Sequence, residues 1–119
     1  MISGTIYAII DDGYFYIGST TKHLDLRIQQ HIKDSKSESK RYSKLYKYIR
    51  NVRKTWDDII YIPLESVSCN TEYELKKKEY SYIELHINDE KLLNNIKSIK
   101  QEYILKYTKT QSKLYYTTP

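Results

Sequence analysis

The segment TIYAIIDDGYFYIGST, residues 5–20, constrains the fold more than any other stretch of this 119-residue chain. Two β-prone runs flank Asp12-Gly13, a pair that tolerates the positive φ angles of a two-residue hairpin turn, so the segment reads as two antiparallel strands. Alternation places Thr5, Tyr7 and Ile9 on one face and Ile6, Ala8 and Ile10 on the other, while Tyr14 and Tyr16 share a face of the second strand. Packing alone would be satisfied by Val or Ile so close to a turn. Instead the hairpin carries Tyr7, Tyr14, Phe15 and Tyr16 and closes on Gly18. Two of these phenols are expected to act as chemical groups.

Beyond the hairpin the period changes from two to nearly four. Leu24, Ile28 and Ile32 predict a helix from His23 to about Asp34, and Tyr42, Leu45, Tyr46, Ile49 and Val52 predict a second between about Lys40 and Lys54. DIIYIPL reads as a third strand, with Pro63 marking an edge or an irregular end. In TEYE, Thr71 can cap a helix while Glu74 reaches back, opening a helix that runs to about His86. The expected fold class is α+β: a small three-stranded, mainly antiparallel sheet flanked by helices, in the order β-β-α-α-β-α plus a C-terminal tail. Residues 1–96 are read as one domain. Residues 97–119 form a basic Tyr/Lys-rich extension, a helix or tail packed on the same domain.

Charge is unevenly spread. Residues 1–90 balance 14 basic against 14 acidic side chains, and residues 91–119 hold six lysines and one glutamate. Within the balanced part, Lys22 to Lys54 carries eleven basic residues and three acidic ones, and Asp57 to Glu90 is acidic. A basic stretch beside an acidic one suits phosphate attraction next to carboxylates, although it also describes an ordinary solvated surface. Lys22, Lys40, Arg41, Lys44 and Lys47 are the cations of this stretch that are candidates for phosphate contacts. Tyrosines interleaved with these lysines are candidates for base stacking, or are simply buried at helical spacing. Cys69 is the single cysteine, which rules out an internal disulfide and argues against a cysteine-based zinc site. With no apolar run near the ~20 residues of a membrane span and no signal-peptide pattern, an intracellular setting (cytoplasm, nucleus or viral factory) is expected. His23 and Cys69 are read as structural or surface residues, and Trp56 as a core plug before the third strand.

Two sets of polar residues fit poorly with plain structure. Arg27 and His31 are four apart and flank the buried stripe of the first helix: either an arginine snorkels to water beside a structural histidine, or both serve a site. Glu79 lies amid Leu75, Tyr82, Ile83 and His86 on the last helix. A carboxylate there requires a partner such as Arg27, a bound cation, or a different helix face, and Lys76, Lys77 and Lys78 do not obviously supply one.

Taken in order, these pieces resemble the GIY-YIG nuclease family. TIY at 5–7 and YIG at 16–18 are similar to its paired strand motifs, and Arg27 with His31 one turn later matches its Arg-x-x-x-His helix pattern. ELKKKEYSYI resembles the segment bearing its metal-binding glutamate, here Glu79, and LLNNI resembles the closing LLN, whose asparagine is here Asn94. The match covers residues 4 to about 96. Thr5 stands where the family has its first glycine, with Gly4 just before it, and Lys40, Arg41 or Tyr42 occupies a polar position at the start of the second helix.

The resemblance implies hydrolysis of DNA phosphodiesters by Tyr7, Tyr16, Arg27, His31, Glu79 and Asn94. Glu79 would hold one divalent ion, Mg²⁺ or alternatively Mn²⁺, because a hard ion that keeps its waters needs few protein oxygens. Arg27 would bind phosphate oxygens as negative charge builds. Tyr7 would point its hydroxyl into the cleft as base and Tyr16 would order water or phosphate; His31 is the competing base or a relay. Asn94 would fix the cleft by hydrogen bonding. No recognisable zinc finger or helix-turn-helix follows. This favours a nuclease subunit whose partner protein supplies specificity, as for branched DNA, over a free-standing homing or restriction enzyme. The alternative reading is a module that keeps the fold and binds nucleic acid without cutting it.

Overall fold

The computed structural model of the chain describes residues 1–95. Strands β1 (Ile2–Asp11) and β2 (Tyr14–Thr20) form the expected hairpin, with Asp12 (φ 50°) and Gly13 (φ 83°) both left-handed in the turn. Strand β3 (Ile60–Cys69) pairs antiparallel with the other side of β1, giving the order β2-β1-β3. Tyr7 faces Pro63 and Ile6 faces Glu65, so Leu64 is the extra residue of a bulge. Proline is tolerated because β3 is a sheet edge.

That bulge explains one difference from expectation. The third strand does not end at Leu64 but continues to Cys69, because β1 still offers Ile2 to Ile6 as partners and Glu65, Val67 and Cys69 turn inward beyond the bulge. Among the described residues the element order is otherwise the one expected, β-β-α-α-β-α: α1 is Leu24–Ser35, α2 Lys44–Tyr48 and α3 Glu72–Leu85. None of these helices is long and apolar enough to cross a membrane.

Both faces of the sheet are covered, which is why both alternating sets of β1 are apolar. On one face Tyr7 and Ile9 pack with Ile28 of α1 and with Leu45, Tyr46 and Ile49. On the other, Ile6, Ile17 and Cys69 pack with Leu75 and Ile83 of α3. Gly4 is where α3 comes closest: a Cβ there would lie 2.7 Å from a Leu75 methyl. Trp56 leans on the first core and donates to Ser35 Oγ at 3.0 Å, in keeping with its reading as a plug.

The second helix departs most from its sequence reading. It starts at Lys44 rather than near Lys40, because Ser43 Oγ accepts from the Tyr46 amide at 3.2 Å and fixes the N-terminus there. From Ile49 to Arg53 it continues as a π-helical turn closed by Lys54 in the left-handed region. A wider turn breaks the four-residue spacing. Tyr42 and Val52 are therefore each 64% exposed, and Tyr48 joins Leu45, Tyr46 and Ile49 in the interior. By contrast the Thr71 cap holds as expected, accepting from the Glu74 amide at 3.3 Å, while Glu74 reaches back to the Asn70 amide at 2.8 Å. His23 likewise caps α1.

Residues 91–95 seal the outer edge of β2. Phe15 and the 91–93 segment exchange backbone hydrogen bonds of 3.0 and 2.7 Å, Leu92 enters one core and Leu93 the other. Asn94 extends the ladder with its side chain, accepting from the Ile17 amide at 2.9 Å and donating to the Ile17 carbonyl at 2.8 Å. The extension at 97–119 lies outside the described residues.

Candidate active site

The site is assembled from the central strand outward. Tyr7 on β1 faces Gly18 on β2, and a Cβ on Gly18 would sit 2.5 Å from the Tyr7 hydroxyl oxygen, so only glycine leaves the phenol its place. The hydroxyl meets His31 Nε2 at 2.6 Å, and His31 Nδ1 meets the Tyr46 hydroxyl at 2.9 Å. Tyr16 closes the group, its ring 5.3 Å from the imidazole and 6.3 Å from the Tyr7 ring. A chain of three polar side chains thus runs through the core from β1 to α1 to α2.

Tyr7 differs from its expected position in one respect. It has no exposed surface, and its hydroxyl points at His31 instead of into an open cleft. The cause is topological: β1 is the central strand, and α1 and α2 cover its face. Burial raises the hydroxyl pKa of Tyr7, while the nearby Arg27 guanidinium draws it back down and the Glu79 charge adds to the rise. Burial likewise raises that of Tyr16. Burial, aided by Arg27, pulls His31 down to about 3. At neutral pH the imidazole is therefore uncharged, with one nitrogen donating and the other accepting in the chain of hydroxyls.

Arg27, one turn before His31 on α1, lies where two clefts meet. It lines a cavity of about 490 Å³ together with Tyr16, His31, Lys40 and Tyr46. It also lines a smaller one of about 270 Å³ with Ser19, Lys22 and Lys76. The guanidinium can thus approach an anion from either side. Arg27 and His31 fall together as the helix spacing requires, and His31 is more deeply buried than Leu24 or Ile32 of the stripe that it flanks.

Glu79 is on α3, which packs on the other face of the sheet, but it sits beside the end of β2 at Ser19. There Ser19 and Lys76 line the smaller cleft together with Arg27, and Tyr7 and Tyr16 still feel the charge of Glu79. Ser19 Oγ donates to its Oε1 at 2.6 Å, and Lys76 Nζ lies 3.3 Å from the same oxygen. The carboxylate is thus paired within its own helix and not with Arg27. Lys76 reaches it because residues three apart on a helix are neighbours. Among the described residues Oε2 accepts no hydrogen bond, which leaves one hard oxygen for a cation. No three His, Cys, Asp or Glu side chains among the described residues group closely enough to hold a metal alone. A single carboxylate nevertheless fits Mg²⁺, which keeps several waters and takes other ligands from substrate phosphate.

The expected DNA-contacting cations scatter around these clefts. Lys22 edges the smaller one; Lys40 edges the larger and pairs with Asp34 at 3.4 Å. Arg41 pairs with Glu38 at 3.3 Å, and Lys44 and Lys47 are exposed on α2. Asn94 is away from both clefts, its amide fully committed to Ile17. Tyr46 reads from the sequence as a buried stripe residue or a base-stacking ring, not as a partner of His31; its four-residue offset from Tyr42 on an apolar stripe concealed the hydroxyl's role. Ser19, directly after YIG, is the other site residue that sequence reading missed.

Against this geometry, a family model described as the GIY-YIG catalytic domain matches residues 3–114. No curated protein and no solved structure matches the chain.

Proposed function

The chain belongs to the GIY-YIG family of nucleases, and from that premise we propose that it is a metal-dependent endonuclease hydrolysing DNA phosphodiester bonds, with Tyr7, Arg27, His31 and Glu79 at its centre. The observation that carries this reading is the 2.6 Å bond between Tyr7 and a neutral His31, beside Arg27. A buried structural tyrosine also needs one hydrogen-bond partner. What exceeds that need here is that the partner's other ring nitrogen meets the Tyr46 hydroxyl and that the Arg27 guanidinium lies beside the pair.

In this reading Tyr7 takes the proton of the attacking water as its own proton passes to His31 Nε2. An imidazole held at about 3 cannot keep that proton: storing it at neutral pH costs about 5 kcal/mol. The Nδ1 proton therefore leaves in the same step to the Tyr46 oxygen, and Tyr46 releases its own hydroxyl proton to water in the larger cavity that it lines. His31 is a relay, not the terminal base. Tyr7 has no exposed surface in the free chain, so water reaches its oxygen only when Arg27 and Tyr16, the partly buried groups beside it, turn toward a bound phosphate. Arg27 then binds the phosphate oxygens as their charge grows. A divalent ion held by Glu79, Mg²⁺ with Mn²⁺ as a substitute, would polarise the phosphate and neutralise the leaving oxygen.

The test is nicking of supercoiled plasmid by the full chain with and without Mg²⁺. Arg27→Ala should lower the rate about 10²- to 10³-fold. Equal cleavage by Arg27→Ala, or cleavage that persists in EDTA, would refute the reading.

A further inference from the structure

We propose that Tyr42 is a stacking platform for an unpaired DNA base next to the scissile phosphate. The proposal rests on the nuclease reading and narrows its substrate to DNA with a displaced or unpaired nucleotide, such as a flap, a gap or a frayed end.

Tyr42 is the most exposed aromatic side chain among the described residues, at 64%. It lines the same cavity of about 490 Å³ as Tyr16, Arg27 and His31, so a base on its ring would lie beside the groups assigned to the chemistry. The exposure of the ring is not slack in the backbone that carries it. The preceding turn is held by a hydrogen bond from the Ser43 amide to the Lys40 carbonyl and by Arg50 donating to the Arg41 carbonyl, both between 3.0 and 3.2 Å. Ser43 then caps α2 immediately after Tyr42. The ring is thus presented by an ordered backbone.

Its neighbours are cations. Arg41 Cζ lies 5.5 Å and Lys47 Nζ 5.8 Å from the ring centroid, and Lys40 lines the same cavity. An exposed cation–aromatic contact is weaker than base–aromatic stacking, so the two long side chains yield the ring to a base and remain close enough for the flanking phosphates. Aromatic rings interleaved with cations are the arrangement that grips single-stranded nucleic acid. A paired base inside a duplex has both faces occupied by its neighbours and cannot use the platform.

The experiment measures binding of the full chain in EDTA, where cleavage does not interfere. The probes are a blunt duplex and the same duplex with a short single-stranded flap containing 2-aminopurine. The wild-type chain should prefer the flapped probe and quench its 2-aminopurine. Tyr42→Ala should weaken flap binding about tenfold and abolish quenching while duplex affinity changes little; Tyr42→Trp should retain both flap properties. The proposal is overturned if Tyr42→Ala weakens both probes equally, or neither. If the stacking effect holds while plasmid cleavage is absent, the nuclease reading fails and the platform stands; cleavage with no Tyr42 effect means the reverse.

Discussion

Gly18 faces Tyr7 across the β1–β2 ladder, and the missing side chain is what lets the Tyr7 ring lie against β2 with its hydroxyl on His31. A Cβ at Gly18 would lie 2.5 Å from both Cζ and the hydroxyl oxygen of Tyr7, and 3.0 Å from Tyr16. The motif's glycine and its two tyrosines therefore form one steric unit.

Gly18→Ala should destabilise the fold by about 1–3 kcal/mol, the usual cost of overpacking a core. Because Tyr7 must shift, nicking should fall even at temperatures where the variant remains folded. Urea denaturation gives the first quantity and the plasmid assay the second. Unchanged stability would mean that the ring has space that the structure does not give it.

Acid should weaken the protein through His31. Unfolded, its imidazole takes up a proton near pH 6.5; folded, it does so only near 3. The unfolded state binds more protons between those values, so stability is complete above about pH 6.5 and falls by about 5 kcal/mol as the pH drops to about 3. Titration above pH 5 precedes most carboxylate effects. Denaturation curves for wild type and His31→Phe across that window should show a clear slope for the first and a much flatter one for the second.

Tyr46→Phe should slow nicking about 10- to 100-fold, toward the lower end of what a positioned proton-transfer group contributes. Removing the hydroxyl leaves the ring in the core but takes the acceptor from the buried His31 Nδ1–H, so stability should fall by about 1–3 kcal/mol and rates are compared at a temperature where the variant remains folded. The defect should shrink as pH rises, since hydroxide can then replace the relay. A pH-rate profile parallel to wild type at full rate would end the relay at His31.

Lys76→Met should tighten binding of Mn²⁺ at Glu79 by a few-fold, because the ammonium and the ion compete for the same carboxylate. An i,i+3 pair with so exposed a lysine is worth only about 0.2–0.5 kcal/mol, so stability should hardly change. Calorimetric titration of the full chain reads this without any substrate. Equal affinity in the two proteins would separate Glu79 from the ion.

The elements that were legible in the sequence are those set by bonds between near neighbours. Asp12-Gly13 specifies the hairpin through its own φ angles, and the Thr71–Glu74 cap closes within a single turn of α3. The partnership of Arg27 and His31 follows from helix geometry alone. Reading failed where short-range rules compete with packing. The Tyr42–Val52 stripe was plausible as a helix, but Ser43 caps it late and the π-helical turn from Ile49 rotates its end out of register. Strand β3 outran its apolar stretch because β1 had backbone left to pair.

By itself, then, the order of residues determined which groups exist, which of them share a helix or strand face, and the family that their spacing indicates, since all of these depend on contacts within a few positions. Only the tertiary structure decided that Tyr7 lies beneath the surface on His31, that Tyr46 completes the chain of hydroxyls, that Ser19 donates to Glu79, and that Tyr42 lines the larger cavity. The physical reason is reach. The Tyr7–His31 and Ser19–Glu79 contacts span 24 and 60 positions, and they are set by how helices lie on the two faces of a sheet, which no local pattern encodes.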